Sequence, residues 1–133
     1  MRAEPALPKR FLRACVLLLL REQPSHGYEL LERLATFGYE RSDPGGLYRT
    51  LRGLEEEGLV DSAWEPSRTG PERRIYQVTR AGTEELYRQA RDLASVQAGL
   101  DVFLSRYGEF AALRGDAGSS SSPSPSRASS RRS

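Results

Sequence analysis

The side chains best suited to bind another molecule lie on a short helix that the sequence predicts over residues 45–57. Three leucines, spaced four and three residues apart, share one side of this helix and are expected to face a core. Arg49 and Arg52 project from the other side, where a guanidinium can donate two hydrogen bonds to guanine in a major groove. The residues of this helix predicted to contact DNA are Gly45, Gly46, Tyr48, Arg49 and Arg52.

A second basic segment lies in a predicted β-hairpin with strands over residues 59–65 and 74–79, in which Trp64 and Tyr76 are expected to pack across the strands. Its tip is rich in Gly, Pro and Arg, and arginines at such a tip contact phosphate or the minor groove. Exposed arginines are also common in proteins that bind no DNA, so the prediction depends on helix and hairpin occurring together. The hairpin residues predicted to contact DNA are Arg68, Arg73 and Arg74.

The remaining polar residues give little support to a catalytic site. His26 is the only histidine in the chain, whereas a zinc site or a Ser-His-Asp triad needs further partners. We therefore expect His26 to cap a helix or lie on the surface. The Gly45-Gly46 pair lacks the spacing and the lysine of a phosphate-binding loop. The chain is predicted not to be an enzyme and to use no metal ion and no cofactor.

Capping residues and hydrophobic spacing predict the elements that position these side chains. Helices are expected over about residues 7–22, 25–38 and 45–57, with Ser25 as the N-cap of the second. A long fourth helix is expected over residues 80–110, after the hairpin. This order predicts a mainly α (α+β) fold with a small β-hairpin, a winged helix-turn-helix with a C-terminal extension.

The same signals predict three regions. Residues 1–79 form the winged helix-turn-helix DNA-binding domain, and residues 80–110 form a C-terminal dimerisation helix. Residues 111–133 consist mostly of Ser, Pro, Arg, Gly and Ala. Because large apolar side chains are almost absent there, the segment is predicted to be a disordered tail.

Composition excludes several classes of protein. A chain of 133 residues, 38% hydrophobic and 29% charged, can build one small domain plus a tail. Its single cysteine cannot form an internal disulfide, and its longest apolar run, residues 14–20, is far below the ~20 residues that span a membrane. The chain is therefore predicted to be cytoplasmic, with no membrane partner.

The net charge of +2 does not by itself indicate a nucleic-acid site. The excess of basic residues comes from the tail, and residues 1–114 hold equal numbers of basic and acidic side chains. A DNA-binding surface must then arise from charges segregated onto one face of the domain.

The predicted fourth helix carries a heptad pattern of apolar residues typical of a coiled coil. The first helix is too short to cover about thirty residues of partner, so the pattern favours a homodimer. Alternatively, part of the heptad pattern reflects packing of the fourth helix against the chain's own first helix. The predicted dimerisation residues are Leu86, Leu93, Leu100, Phe103, Leu104 and Tyr107.

Two classes of function fit this organisation. The first is a sequence-specific regulator that binds a double-stranded DNA operator. The alternative is a winged-helix module whose third helix meets another protein and that has no specific DNA binding. Only the first predicts strongly salt-dependent affinity for DNA, because binding to phosphates releases counterions.

Several ordered motifs also resemble the PadR family of transcriptional regulators. The resemblance covers about residues 7–110 and is carried by Pro24-Ser25-His26-Gly27-Tyr28-Glu29-Leu30, Pro44-Gly45-Gly46-Leu47-Tyr48-Arg49-Thr50-Leu51, Leu54-Glu55-Glu56-Glu57-Gly58-Leu59-Val60, Gly70-Pro71-Glu72-Arg73-Arg74-Ile75-Tyr76 and Thr79-Arg80-Ala81-Gly82.

This resemblance implies a dimeric winged-helix repressor whose third helix reads an operator and whose wing touches the DNA backbone. By position, Tyr48 matches the start of the family's recognition helix, and Arg73 or Arg74 matches its basic wing residue. Gly46 departs from the family pattern, in which many members have Thr or Ser, so a hydroxyl contact with phosphate is not expected there.

The resemblance also implies that a small molecule releases the repressor from DNA. The chain is most similar to the branch of polyhydroxybutyrate-responsive repressors. A pocket for a hydrophobic or aromatic effector is predicted between the fourth and first helices, because aromatic residues fall at that presumed interface. The predicted effector-binding residues are Phe11, Phe103 and Tyr107.

Overall fold

The computed structural model describes residues 10–39, 44–66 and 70–115. These residues are mostly helical with a small antiparallel sheet, which confirms the predicted fold class. Up to Arg91 they form one compact unit, and from Asp92 they form a second. The elements are α1 (Phe11–Glu22), β1 (Ser25–His26), α2 (Gly27–Leu34), a 3-10 turn (Ala35–Phe37), α3 (Pro44–Glu56), β2 (Val60–Glu65), β3 (Arg73–Val78) and α4 (Arg80–Arg114).

The core of the first unit is built around α1, α2 and α3. Val16 and Leu17 of α1 are completely buried, and Cys15 is buried beside them. Burial raises the pKa of the Cys15 thiol to about 12, so this side chain is a neutral, small apolar group in the core. The side chains of α3 that complete the core are Leu47, Leu51 and Leu54, as their spacing predicts.

The sheet has one more strand than the sequence predicts. Residues Ser25 and His26 form a two-residue strand, β1, which pairs with β3, so the order of strands is β1-β3-β2. Ser25 is fully buried and its hydroxyl oxygen accepts a 2.7 Å hydrogen bond from Arg33 Nη1. The expected N-cap at Ser25 is therefore wrong: His26 occupies the N-cap position of α2.

The start of α4 is fixed against the end of α3 by Thr79. The Thr79 hydroxyl donates to the carbonyl oxygen of Gly58 at 2.7 Å and accepts from the backbone N–H of Gly82 at 3.0 Å. A Cβ atom at Gly82 would overlap the backbone carbonyl oxygen of Leu59. Gly82 therefore permits a close approach of α4 to the segment between α3 and β2.

The helix α4 begins at Arg80, as the sequence predicts, but its end and the surroundings of two of its leucines differ from the expectation. It extends to Arg114 rather than to about Phe110. Leu86, expected in the dimer seam, is buried within the core of the first unit, and Leu93 is half-buried. A heptad pattern alone does not distinguish burial in the chain's own core from burial against a partner. No helix in the described ranges is long and apolar enough to cross a membrane.

Substituting Gly82 tests the packing at the start of α4. We predict that Gly82→Ala lowers the free energy of unfolding by ~1–3 kcal/mol, because backbone atoms must move to admit the new methyl group. Urea denaturation followed by circular dichroism measures this. Gly108→Ala is the matched control, since Gly108 lies in the same helix and a Cβ there would meet nothing within 4 Å. Equal effects of the two substitutions would contradict the close approach at Gly82.

Candidate nucleic-acid interface

The outward face of α3 carries the residues predicted to contact DNA. Arg49 and Arg52 are exposed, and neither forms an ion pair with the part of the chain that the structure describes. Gly45 is exposed and Gly46 is half-buried in the first turn. These small residues allow the N-terminal half of α3 to approach another surface closely. Since the leucines of α3 are buried on the other side, this helix can insert into a groove without exposing the core.

Tyr48 is held in place by the first residue of α2. Its side chain is 41% exposed, and a Cβ atom at Gly27 would overlap the Tyr48 hydroxyl and ring. The tyrosine therefore packs directly against the α2 backbone while part of its ring remains accessible. The sequence assigns Tyr48 to the predicted DNA-contacting surface. It does not identify Gly27 as the residue against which Tyr48 packs. A glycine at the first position of a helix that faces an aromatic residue is the signal that would have indicated this contact.

Acidic side chains at the end of α3 are bound by the chain itself. Arg13 Nη2 lies 2.8 Å from Glu57 Oε1, and Arg13 Nη1 lies 3.0 Å from Glu57 Oε2. This bidentate contact holds the pKa of the Glu57 carboxyl below its usual value. Glu55 accepts a 2.5 Å hydrogen bond from the Ser62 hydroxyl. Internal partners thus partly offset two negative charges that would otherwise repel phosphate.

The predicted contact between Trp64 and Tyr76 is replaced by a different pairing. Ser62 lies opposite Tyr76, and Trp64 lies opposite Arg74. The Arg74 guanidinium carbon is 5.3 Å from the centroid of the Trp64 ring, and Arg74 Nε donates to the Ser62 hydroxyl at 2.8 Å. Arg74 also lies 3.6 Å from Glu55. These contacts connect the base of the hairpin to α3.

Arg73, on the opposite face of β3 from Arg74, contacts the start of α2. Its Nη1 atom donates to the Tyr28 hydroxyl at 2.6 Å, and its guanidinium carbon is 5.8 Å from the centroid of the Tyr28 ring. Arg73 and Tyr28 are both exposed. Arg68, the third arginine predicted to contact DNA from the hairpin, lies outside the described residues.

His26 connects α2 with the base of the hairpin. Its backbone N–H donates to Glu29 Oε1 at 2.8 Å, which confirms the predicted capping role and lowers the pKa of the Glu29 carboxyl. The His26 ring nitrogen Nε2 lies 2.7 Å from Glu65 Oε1 at the end of β2. This second contact cannot be read from the sequence, because it joins residues 39 positions apart.

The aromatic residues predicted to bind an effector lie in two different units of the chain. In the first unit, Phe11 lies edge-on to Phe37, with ring centroids 6.1 Å apart, and is stacked 6.3 Å from Tyr39. In the second unit, Phe103 and Tyr107 stack on each other with ring centroids 6.5 Å apart. A shared effector pocket for Phe11, Phe103 and Tyr107 stays a prediction.

The helix-turn-helix of α2 and α3, followed by a basic hairpin, defines the winged-helix class of DNA-binding proteins. The sequence profile of the PadR-like family of transcriptional regulators matches residues 16–88. The chain belongs to this family, as its sequence motifs predict. It is therefore a DNA-binding transcriptional regulator rather than an enzyme.

Individual relatives agree with this assignment. The transcriptional regulator Rv3488 of Mycobacterium tuberculosis is 37% identical over 89 residues, which cover 64% of this chain and 81% of the relative. The crystal structure of TM0937, a conserved protein of unknown function and potential transcriptional factor, is 35% identical with a TM-score of 0.67. That alignment covers 82% of this chain and 97% of TM0937.

A third relative carries the family name itself. The crystal structure of a PadR family transcriptional regulator from Eggerthella lenta is 31% identical, with a TM-score of 0.62. The alignment covers 70% of this chain and 80% of that protein. Membership of the polyhydroxybutyrate-responsive branch stays a prediction.

The contact between Tyr48 and Gly27 can be tested by a double-mutant cycle. We predict that Gly27→Ala lowers the free energy of unfolding by ~1–3 kcal/mol, because the new methyl group overlaps the Tyr48 ring. In a Tyr48→Ala background the same change should cost much less. Urea denaturation of the four proteins measures the coupling. Additive effects of the two substitutions would show that Gly27 and Tyr48 do not contact each other.

Proposed function

We propose that this chain is a cytoplasmic, homodimeric repressor that binds a pseudo-palindromic DNA operator and is released by a small-molecule effector. The observation that carries the proposal is the outward face of α3, where Arg49 and Arg52 are exposed and free of internal ion pairs within the described residues. In a winged helix-turn-helix this helix enters the major groove. Residues 1–79 then form the DNA-binding domain.

In this proposal the arginines of α3 and those of the hairpin contact different parts of the DNA. Arg49 and Arg52 donate to base edges, with Gly45 and Gly46 allowing close approach and Tyr48 contacting the backbone. The hairpin lies along the adjacent phosphates, which Arg68, Arg73 and Arg74 neutralise. Arg74 contributes less than the others, because Trp64, Ser62 and Glu55 already hold its guanidinium.

Dimerisation is assigned to the exposed part of α4. Leu100, Phe103, Leu104 and Tyr107 are each more than half exposed within the second unit, which is unusual for so many large apolar side chains on one helix. Val96, Leu100, Phe103, Tyr107 and Phe110 also recur at steps of four and three residues, the spacing of a coiled-coil seam. A second copy of α4 would cover this seam, to which Leu93 contributes and buried Leu86 does not.

The helix α4 is also the proposed binding site of the effector. The exposed, stacked rings of Phe103 and Tyr107 offer flat apolar surface to a hydrophobic or aromatic molecule. A ligand that binds between the two copies of α4 would change the separation of the two α3 helices and so release the operator.

Selection of bound sequences from a random double-stranded library tests the proposal. The purified protein should enrich an inverted repeat with half-sites about 34 Å apart, because a dimer places its two recognition helices in successive major grooves. Affinity for the enriched duplex should fall linearly on a log–log plot against salt concentration. Absence of any enriched sequence would contradict the proposal and favour a module that binds another protein.

Single substitutions separate base reading from backbone contact. We predict that Arg52→Ala costs ~1–3 kcal/mol on the selected operator and relaxes the preference at one base position. Arg73→Ala should instead weaken operator and scrambled duplexes alike and reduce the salt slope by about one. Arg91→Ala, an exposed arginine of α4, is the control that should leave both affinities unchanged. Equal losses from Arg52→Ala on the two duplexes would show that Arg52 contacts only phosphate.

A further inference from the structure

Trp64 is a large aromatic side chain to which the proposed function gives no role. It is the only tryptophan of the chain, lies near the end of β2 and is 59% exposed. Its indole N–H can only donate a hydrogen bond, and no acceptor for it lies within the described residues. A large exposed ring with a free N–H donor is typical of a surface that binds a partner.

One face of the Trp64 ring is covered by Arg74. The two residues lie directly opposite each other on β2 and β3, and the Arg74 guanidinium carbon is 5.3 Å from the ring centroid. Arg74 is itself held in place, because its Nε donates to the Ser62 hydroxyl at 2.8 Å and its Nη2 lies 3.6 Å from Glu55 Oε2. The Ser62 hydroxyl donates to the same oxygen of Glu55. The end of α3 therefore fixes Arg74, and Arg74 fixes the orientation of the Trp64 ring.

These contacts reduce the capacity of Arg74 to neutralise a phosphate. Glu55 partly offsets its positive charge, and its planar guanidinium lies on the indole ring. Arg73, by contrast, forms no ion pair within the described residues and binds the neutral Tyr28 side chain. The two neighbouring arginines thus differ: the charge of Arg73 is available to DNA, whereas Arg74 holds Trp64.

Trp64 lies on the side of the hairpin that faces α3. Trp64, Ser62 and Val60 share one face of β2, because side chains alternate along a strand, and Val60 belongs to the core together with the leucines of α3. On α3, Arg52 precedes Glu55 by three residues, so their side chains are neighbours on the helix surface. The side of α3 that is proposed to enter the groove therefore continues through Glu55 to Trp64.

A position between a recognition helix and a wing faces the sugar–phosphate backbone of DNA. When the helix fills the major groove and the hairpin reaches the adjacent backbone or minor groove, the strand that separates the two grooves lies between them. Deoxyribose presents apolar C–H groups on this strand, and the phosphates on either side of it accept hydrogen bonds. An indole ring matches both, since its face packs on the sugar and its N–H donates to a phosphate oxygen.

We propose that Trp64 packs on a deoxyribose of the operator and donates its indole N–H to the adjoining phosphate, with Arg74 as the positioning residue that holds the ring. This inference rests on the proposed function. Arg74 then contributes to DNA binding mainly through Trp64 rather than through a phosphate contact of its own. Trp64 fixes the position of the hairpin on the DNA but reads no base, because sugar and phosphate are the same at every step.

The emission of Trp64 tests this contact directly, since no other tryptophan contributes. The selected operator is added to the wild-type protein, and binding is measured separately by the anisotropy of a labelled duplex. We expect the Trp64 emission to shift to shorter wavelength in the complex and its quenching by acrylamide to fall several-fold. The matched control combines Trp64→Phe with Tyr87→Trp. Tyr87 is 52% exposed on α4, outside the proposed DNA-binding surface, so the relocated tryptophan should be quenched equally with and without DNA.

Substitutions separate the contributions of the ring, of its N–H and of Arg74. Trp64→Ala should weaken binding to operator and scrambled duplexes alike by about tenfold, the effect of losing one aromatic stacking contact. Trp64→Phe keeps a ring without the N–H and should weaken binding about threefold. Circular dichroism establishes that each variant is folded.

Arg74→Gln distinguishes a positioning residue from a phosphate contact. It should weaken binding about as much as Trp64→Ala does, and it should cost little more in the Trp64→Ala background, because both changes remove the same contact. The slope of log affinity against log salt should stay unchanged. A phosphate contact of Arg74 would instead reduce this slope by about one, as is expected for Arg73→Ala.

Unchanged emission and quenching of Trp64, in a complex that anisotropy shows to be formed, would overturn the inference and leave the proposed function standing. A salt slope reduced equally by Arg74→Gln and by Arg73→Ala would overturn the positioning role of Arg74. If no duplex binds, the proposed function is wrong and this contact with it. The titration of the wild-type protein needs no substitution, so the test holds even if a variant fails to fold.

Discussion

The position of α3 relative to α2 depends on the absence of a side chain at Gly27. Tyr48 projects from the N-terminal half of α3 and packs against the α2 backbone at this residue. Any larger residue would displace the ring and the helix turn that carries it. Because Arg49 and Arg52 extend from the same part of α3, the direction of their guanidinium groups depends on this contact. The same junction holds the hairpin, so one short segment positions both parts of the proposed DNA-binding surface.

The arginines of the first unit differ in whether a glutamate pairs with them. Arg13, Arg33 and Arg74 each form an ion pair with a glutamate of the first unit. Arg49 and Arg52 have no such partner in the part of the chain that the structure describes. The fold, rather than the composition, thus decides which arginines are left unpaired on the proposed DNA-binding surface, and net charge does not indicate them. The two predicted wing arginines, Arg73 and Arg74, have different surroundings because consecutive residues of β3 point to opposite faces of the sheet.

Most of the fold could be predicted from local sequence signals, whereas contacts between distant residues could not. Leucine spacing predicts the buried side of α3, and Thr79 and Gly58 mark the boundaries around β2, β3 and α4. The strand β1 is missed because two residues carry no periodic pattern, and its formation depends on pairing with β3. The burial of Leu86 in the core of the first unit could not be predicted, because a heptad repeat is equally compatible with the core of the same chain and with a partner. The contacts of His26 with Glu65 and of Gly27 with Tyr48 arise only when separate elements meet.

The central claim of the proposed function is that a homodimer places two copies of α3 on two half-sites on one side of the DNA. Inserting about five base pairs, half a helical turn, between the half-sites of the selected operator tests this most directly. The account predicts a loss of operator affinity almost to the level of a scrambled duplex, because the second half-site then faces away from the dimer. Inserting about ten base pairs should return both half-sites to the same side of the DNA, but at a greater separation. Unchanged affinity after the half-turn insertion would contradict the account.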